Sequence, residues 1–362
     1  MNKHDPAPIQ FLTSQGRYQP NTVAKPYEPD AETLATDVPR LFYGEIPPNR
    51  RLDNASTALQ RQGELALWIP SYGQEAAQTG SAHALSPLDT IFPSYREHGV
   101  ALARGIDFVD ILAVLRGNTF SGWDPEQTRF RLYTIVLAAQ ALHATGYAMG
   151  ISLDQQAGRK PEGEEAVIVY IGDGAMSEGD ASEALIFART YNVPVLFFVQ
   201  NTPVATQTAM SYANRAEGFG IPGYRIDGND VIASYTVTKH IMNQVRNGAG
   251  PALIEAVTYR LGPHTSSDDP TKYRSAEEYD HWQKLDPIPR LRAHLQYRGI
   301  TDDVFDQIDT ENAKHATDVR GRLLALPNLN PSAMFDHVYT EPHPVTTEQK
   351  DWLTSYEASL EP

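Results

Sequence analysis

Residues 166–174 read Ala-Val-Ile-Val-Tyr-Ile-Gly-Asp-Gly, an apolar, β-branched run closed by a glycine-flanked aspartate. An apolar run of that length suits a strand buried on both faces. Downstream, 183–191 reads as helix, Asn192-Val193-Pro194 as a break, and Val-Leu-Phe-Phe-Val at 195–199 as a second buried strand. Strand, helix and strand in that order form a βαβ unit, which implies a parallel sheet covered on both faces.

Working outward, a helical stretch near 234–245 leads into another apolar strand at 252–259. The expected fold class is therefore α/β, with a doubly wound, mostly parallel sheet. Beyond Tyr279 the chain reads as a tail of helices with an acidic, polar surface. On the N-terminal side, the apolar spacing over 52–67 predicts a helix. Ile46-Pro47-Pro48-Asn49 should interrupt any helical run, because proline lacks the donor and clashes with the preceding turn. Residues 1–40 carry Pro6, Pro8, Pro20, Pro26, Pro29 and Pro39 and read as an extended arm without its own core. Residues 41–362 are expected to form one α/β domain with C-terminal helices, without repeats or low-complexity tracts.

Composition narrows the function classes. The 362 residues are 41% hydrophobic and 21% charged, which suits a globular chain. A net charge of −15 argues against a nucleic-acid partner, since phosphate backbones need basic patches, yet it leaves room for a local basic pocket. The chain has no cysteine, which excludes disulfides, thiolate nucleophiles and zinc–sulfur sites. The run at 195–199 is too short to span a bilayer and MNKHDPAPIQF has no apolar signal core, so no membrane partner and a cytoplasmic location are expected.

In an open parallel sheet, ligands sit beyond the carboxyl ends of the strands. Asp173 lies there, and Asn201 ends the following strand, so neighbouring strands could bring the two together. A carboxylate and an amide oxygen suit a hard cation that also takes diphosphate oxygens. Gly172 and Gly174 allow close backbone approach or positive φ. A lone Gly-Asp-Gly is also what a glycine turn with an aspartate cap looks like. No Gly-x-Gly-x-x-Gly follows the strand, and no Gly-Lys-Ser/Thr phosphate loop is present. A second cluster, Pro93-Ser94-Tyr95-Arg96-Glu97-His98-Gly99, offers arginine for a bidentate grip on phosphate with a tyrosine hydroxyl beside it. A third, running from Tyr259-Arg260 through His264 to Pro270, is a polar loop directly after a strand, where His264 can donate to phosphate or shuttle a proton.

Together these stretches resemble the alpha subunit of the decarboxylating component of 2-oxoacid dehydrogenase complexes, of the pyruvate and branched-chain type. The resemblance runs from about Leu52 to at least Leu295 through GQEAAQTGSA (73–82), FPSYREHG (92–99), QALHATGYAMG (140–150), IGDGAMSEGDASEAL (171–185), GYRIDGND (223–230), and the stretch from IEAVTYRLGPH through SSDDPTKYRS (254–275). It implies the thiamine-diphosphate-binding fold, with thiamine diphosphate and Mg²⁺ as cofactors. By this resemblance Asp173 would ligate the metal, and Gly174 and Ala175 would contact the diphosphate through the backbone. Tyr95 and Arg96, joined by Arg260, would hold the terminal phosphate. Leu137 would line the aminopyrimidine, and Gln200 would contact the cofactor. His264 would sit beside the diphosphate and assist acyl transfer. The implied reaction is oxidative decarboxylation of a branched-chain 2-oxo acid or pyruvate, with acyl transfer to lipoyl groups of an acyltransferase component. The implied partner is a beta subunit, in an α2β2 heterotetramer, that contributes the other half of each site.

One stretch departs from the family pattern. Its thiamine motif ends in two asparagines, whereas this chain reads Val199-Gln200-Asn201-Thr202-Pro203, as if six residues beginning with the second asparagine were absent. Either the loop is rebuilt with Asn201 or Thr202 as the second metal ligand, or residues of the natural chain are missing from this sequence. The alternative is a degenerate, non-catalytic scaffold or regulatory paralogue with an impaired metal site.

Overall fold

Along the strand that holds 167–171, Val167, Val169 and Ile171 belong to one hydrophobic core and Ile168 and Tyr170 to another. Successive side chains of a strand leave opposite faces, so a strand between two cores must be apolar at every position. The computed structural model describes residues 5, 7–28, 37–159, 161, 163–202 and 210–360. The 203–209 stretch after Thr202, with Pro203, and residues 29–36 of the arm lie outside the described residues.

Among the described residues five strands form one sheet: β1 (Thr90–Phe92), β2 (Val167–Gly172), β3 (Val195–Asn201), β4 (Gly223–Asp227) and β5 (Ala252–Val257). Their order is β1-β2-β3-β5-β4, and every pairing is parallel. The Ala139–Gln156 and Gly179–Tyr191 helices cover one face, bringing Ala141, Ala144, Ala148, Ala181, Ala184 and Ala188 against the sheet. The Glu75–His83 and Val231–Gln244 helices contribute to the core on the other face, together with the long Asp37–Arg61 helix. The expected doubly wound α/β fold is present. No helix among the described residues is long and apolar enough to cross a membrane.

Local chemistry fixes the element ends. Asn192 takes a left-handed conformation (φ 49°) and closes the Gly179–Tyr191 helix, the break read at 192–194. Asp230 caps Val231–Gln244 by accepting from the N–H groups of Ile232 and Ala233 at 3.0 and 3.3 Å. Its other oxygen accepts from Phe11 N and Leu12 N at 2.7 Å each, which ties down the N-terminal arm. Ile9 extends the sheet edge beside β4, donating to Arg225 O and accepting from Asp227 N. The arm thus buries Ile9, Phe11 and Leu12 in the body's core rather than building one of its own.

Two expectations need correction. The helix read over 52–67 spans Asp37–Arg61 instead, and Pro47 and Pro48 sit inside it rather than ending it. An interior proline costs about 3 kcal/mol or more. Burial of Phe42, Tyr43, Ile46, Leu52 and Leu59 along the same helix contributes about 1.5–3 kcal/mol per large side chain and outweighs that penalty. C-terminal helices are present as expected, at Ala276–Gln283, Pro287–Tyr297, Asp302–Leu324 and Pro344–Ala358.

The register places the site. Gly172 pairs with Gln200, and Asn201 pairs with Val257, so β2, β3 and β5 end side by side. The segments that follow them, starting at Asp173, Thr202 and Thr258, leave the same edge of the sheet.

Candidate functional site

At that edge lies a cavity of about 410 Å³. Tyr95, Arg96, Leu137, Asp173, Gly174, Ala175, Gln200, Arg260 and His264 all lie on its wall. Those nine residues come from segments far apart in the sequence. Asn201 is not on the wall.

One end is cationic. Arg96 is 6% exposed, and its guanidinium donates to the carbonyls of Pro70 and His264 and meets His264 Nδ1 at 3.0 Å. Burial, followed by the nearby Arg260 charge, lowers the Arg96 pKa to about 10. Burial and the charges of Arg96 and Arg260 push His264 down to about 4. His264 is therefore neutral near pH 7 and can act as an acceptor for Arg96. Among the described residues the buried Nε of Arg260 has no hydrogen-bond partner. Two crowded guanidinium groups, one with an unmet donor, form a site short of negative charge. The Tyr95 ring lies edge-on to His264 at 6.3 Å and 5.6 Å from the Arg96 guanidinium carbon.

The loop carrying His264 is braced from within. Asp268 accepts from His264 N at 2.8 Å and from the Tyr273 hydroxyl, and Arg274 donates to Gly262 O at 2.8 Å.

The other end is the Gly172-Asp173-Gly174 turn. Asp173 Oδ1 accepts from the Thr202 hydroxyl at 3.1 Å, and Asp173 O accepts from the Tyr212 hydroxyl at 3.1 Å. Gly174 opens a 3₁₀ turn over Ala175–Ser177, with φ −60°. Positive φ is not what glycine supplies here, since neither Gly172 nor Gly174 has it. A Cβ added at either position meets nothing within 4 Å, so both border open space where a ligand can approach the backbone. The leading N–H groups of such a turn have no acceptor inside it.

Asn201 departs from expectation. Its amide donates to Glu255 Oε1 at 2.7 Å, off the cavity wall, while Thr202 stands beside Asp173. Among the described residues no three His, Asp or Glu side chains cluster as a ready-made metal site. A hard cation would need oxygens from the ligand and water in addition to Asp173.

Between the two ends, buried carboxamides order the floor. Gln200 Nε2 donates to Glu97 Oε1 at 2.7 Å, Gln78 Nε2 donates to Gln200 Oε1 at 3.2 Å, and Ser94 donates to Glu97 through its N–H and hydroxyl. Burial pushes the Glu97 carboxyl up.

The dehydrogenase E1 component family model matches residues 48–320, well over half of the chain. The chain belongs to that family. The 3-methyl-2-oxobutanoate dehydrogenase subunit alpha of Mycobacterium tuberculosis (strain ATCC 25618 / H37Rv) is 41% identical over 357 residues, covering 96% of this chain and 94% of the relative. The pyruvate dehydrogenase E1 component subunit alpha of Staphylococcus aureus (strain N315) is 36% identical over 317 residues, covering 84% and 81%. The corresponding protein of Staphylococcus epidermidis is 35% identical over the same length.

Sequence reasoning about this E1 component chain missed Glu97, Gln78 and the bracing role of Tyr273 and Arg274. Glu97 and Gln78 sit inside quoted motifs, so a signal existed. Their link through Gln200 of β3 is set by the fold alone.

Proposed function

We propose that this chain is the alpha subunit of a cytoplasmic 2-oxoacid dehydrogenase, and that it holds thiamine diphosphate between its two cavity ends while a beta subunit completes the site. The observation that carries the proposal is one cavity with unmet positive charge at one end and a carboxylate in a glycine turn at the other. That pattern fits a diphosphate bridged to Mg²⁺. Tyr95, Arg96, Arg260 and His264 hold the terminal phosphate. Arg96 would donate to that phosphate, and His264, once protonated beside the anion, would donate to it as well. Gly174 and Ala175 offer backbone N–H groups to the diphosphate.

Asp173 would ligate Mg²⁺, and the Thr202 hydroxyl beside it, rather than the Asn201 amide, would be the second protein oxygen. Leu137 and Gln200 flank the ring system. Bound thiamine diphosphate supplies an electron sink for the carbon that loses CO₂. The chain's own residues orient that cofactor, exclude water and keep a histidine within reach of the reacting centre for acyl transfer to a lipoyl group on the acyltransferase partner. The match spanning 96% of the chain bears a branched-chain name, so 3-methyl-2-oxobutanoate is the first substrate to try, with pyruvate next.

The test is co-purification with a matching beta subunit in an α2β2 assembly, followed by decarboxylation assays with and without thiamine diphosphate and Mg²⁺. Cofactor-dependent CO₂ release is expected. Cofactor binding without turnover of either acid would move the reading to another 2-oxo acid. Neither binding nor turnover would favour a non-catalytic scaffold, the reading that the displaced Asn201 supports.

A further inference from the structure

The 68–72 segment forms neither helix nor strand, yet each of its carbonyls is used. Trp68 O accepts from Ser266 N at 2.8 Å, Ile69 O pairs with His98 Nε2 at 2.8 Å, and Pro70 O accepts from Arg96. Ser71 O accepts from Gln74 N at 2.8 Å, and Tyr72 O accepts from Leu261 N at 2.7 Å. Trp68 N also donates to Ser266 Oγ at 3.0 Å. The strap therefore grips the phosphate-end loop on both sides of His264, at Leu261 and Ser266, and holds Arg96 from below.

From behind, a single side chain ties both ends of the strap to the Asp37–Arg61 helix. Asp53 is 2% exposed. Its Oδ1 accepts from Trp68 Nε1 at 2.7 Å, and its Oδ2 accepts from Ser71 N at 2.8 Å and Ser71 Oγ at 3.3 Å. Burial, followed by the neighbouring Glu75 charge, raises its carboxyl to about 7. A buried carboxylate in that state weakens the fold, and an apolar residue would serve helix packing better. What a carboxylate alone provides is acceptor capacity for all three donors. A carboxamide has one acceptor oxygen and would turn an N–H₂ towards another donor.

We propose that Asp53 is a positioning residue: by fixing the 68–72 strap it aims Arg96 and holds the 260–266 loop at the distance the cofactor's terminal phosphate requires. This rests on the reading of the cavity as a thiamine diphosphate site. Asp53 lies off the cavity wall and acts only through the strap.

The experiment uses the assembled alpha–beta complex carrying wild-type chain, Asp53→Asn, Trp68→Phe or Asp89→Asn. Trp68→Phe removes the indole donor and some buried ring volume but keeps an aromatic ring against His98 and leaves the Asp53 carboxylate in place, so it is the variant that decides if Asp53→Asn does not fold. Asp89 is an equally buried carboxylate that accepts from Ala166 N and pairs with Arg246, and it lies off the cavity wall, so Asp89→Asn controls for general destabilisation. Asp53→Asn is expected to raise the KM for thiamine diphosphate by about tenfold or more, and Trp68→Phe by about threefold, since the first disturbs all three bonds to the carboxylate and the second removes one of them. For both, kcat at saturating cofactor should stay within about twofold, as expected when binding alone is lost. Asp89→Asn should lower Tm and leave KM unmoved. The proposal is overturned if Asp53→Asn and Trp68→Phe bind the cofactor like wild type, or lose Tm and kcat with KM unmoved. Failure of the wild-type complex to bind thiamine diphosphate would instead overturn the cofactor reading, and this inference with it.

Discussion

The end of the cavity proposed for phosphate and the end proposed for metal are built in opposite ways. The phosphate end draws Arg96, Arg260, His264 and Tyr95 from two distant segments, which a third, the 68–72 strap, ties together through main-chain bonds. The metal end rests on one turn, with Asp173 against Thr202 and Asn201 directed elsewhere. An end assembled from several segments spreads its contacts over many groups, so no single position carries all of the binding. An end resting on one carboxylate has no such reserve, so Asp173 should be the most sensitive single position in the cavity.

The largest effect is therefore expected from Asp173→Ala. Affinity for thiamine diphosphate in the presence of Mg²⁺ should fall by about a hundredfold or more, since groups that only support a metal ligand already change affinity by about 10–100-fold. Calorimetry on the assembled complex measures it, and a loss no larger than that of an Arg96 variant would remove the asymmetry. Arg96→Lys comes next. It keeps the charge but loses the planar fork that reaches Pro70 O and His264 together, and affinity should fall by about tenfold or somewhat more.

Thr202→Val and Asn201→Ala form a paired test of which residue serves the metal. The threonine variant should weaken Mg²⁺-dependent binding by about tenfold, the size of one lost hydrogen bond or ligand. Asn201→Ala should leave binding within about threefold of wild type yet lower Tm, because Glu255 Oε1 loses its 2.7 Å donor and keeps only the longer Arg225 ion pair, a cost of about 1 kcal/mol. The reverse ranking would restore Asn201 as the ligand.

The smallest expected signal is a fraction of a proton. His264 is held near 4 in the ligand-free chain, against an ordinary 6.5, and a phosphate beside it favours the protonated ring. Between those values ligand binding should take up protons, which titration in buffers of different ionisation enthalpy detects. The same depressed pKa has a consequence for folding. An unfolded histidine gains its proton as pH falls through 6.5, the folded one resists until about 4, and stability falls across that window.

Much of this was legible in the sequence. The 166–174 and 195–199 runs gave β2 and β3 because strands between two helical layers are apolar at every position, so their reading does not depend on a delicate period. The cavity residues were legible through their motifs. β1, with three residues, and β4, with Arg225 and Asp227, are too short or too polar to read as strands, and only pairing defines them. The Asp37–Arg61 helix was misread because proline is a strong local signal that long-range burial of Ile46 and Leu52 overrides. Asn201 was misplaced for a geometric reason. The residue ends β3, and its amide reaches across to Glu255 on β5, a neighbour far away in sequence. Asp53 was invisible because its partners, Trp68 and Ser71, share no pattern with it.

The most direct measurement is a titration of thiamine diphosphate into the assembled alpha–beta complex, with Mg²⁺ and again with the metal chelated. Binding that is saturable with the metal and much weaker without it is expected, and the Asp173→Ala complex should behave like the chelated wild type. No binding in either condition, or equal binding in both with Asp173→Ala indistinguishable from wild type, would contradict the assignment of the cavity.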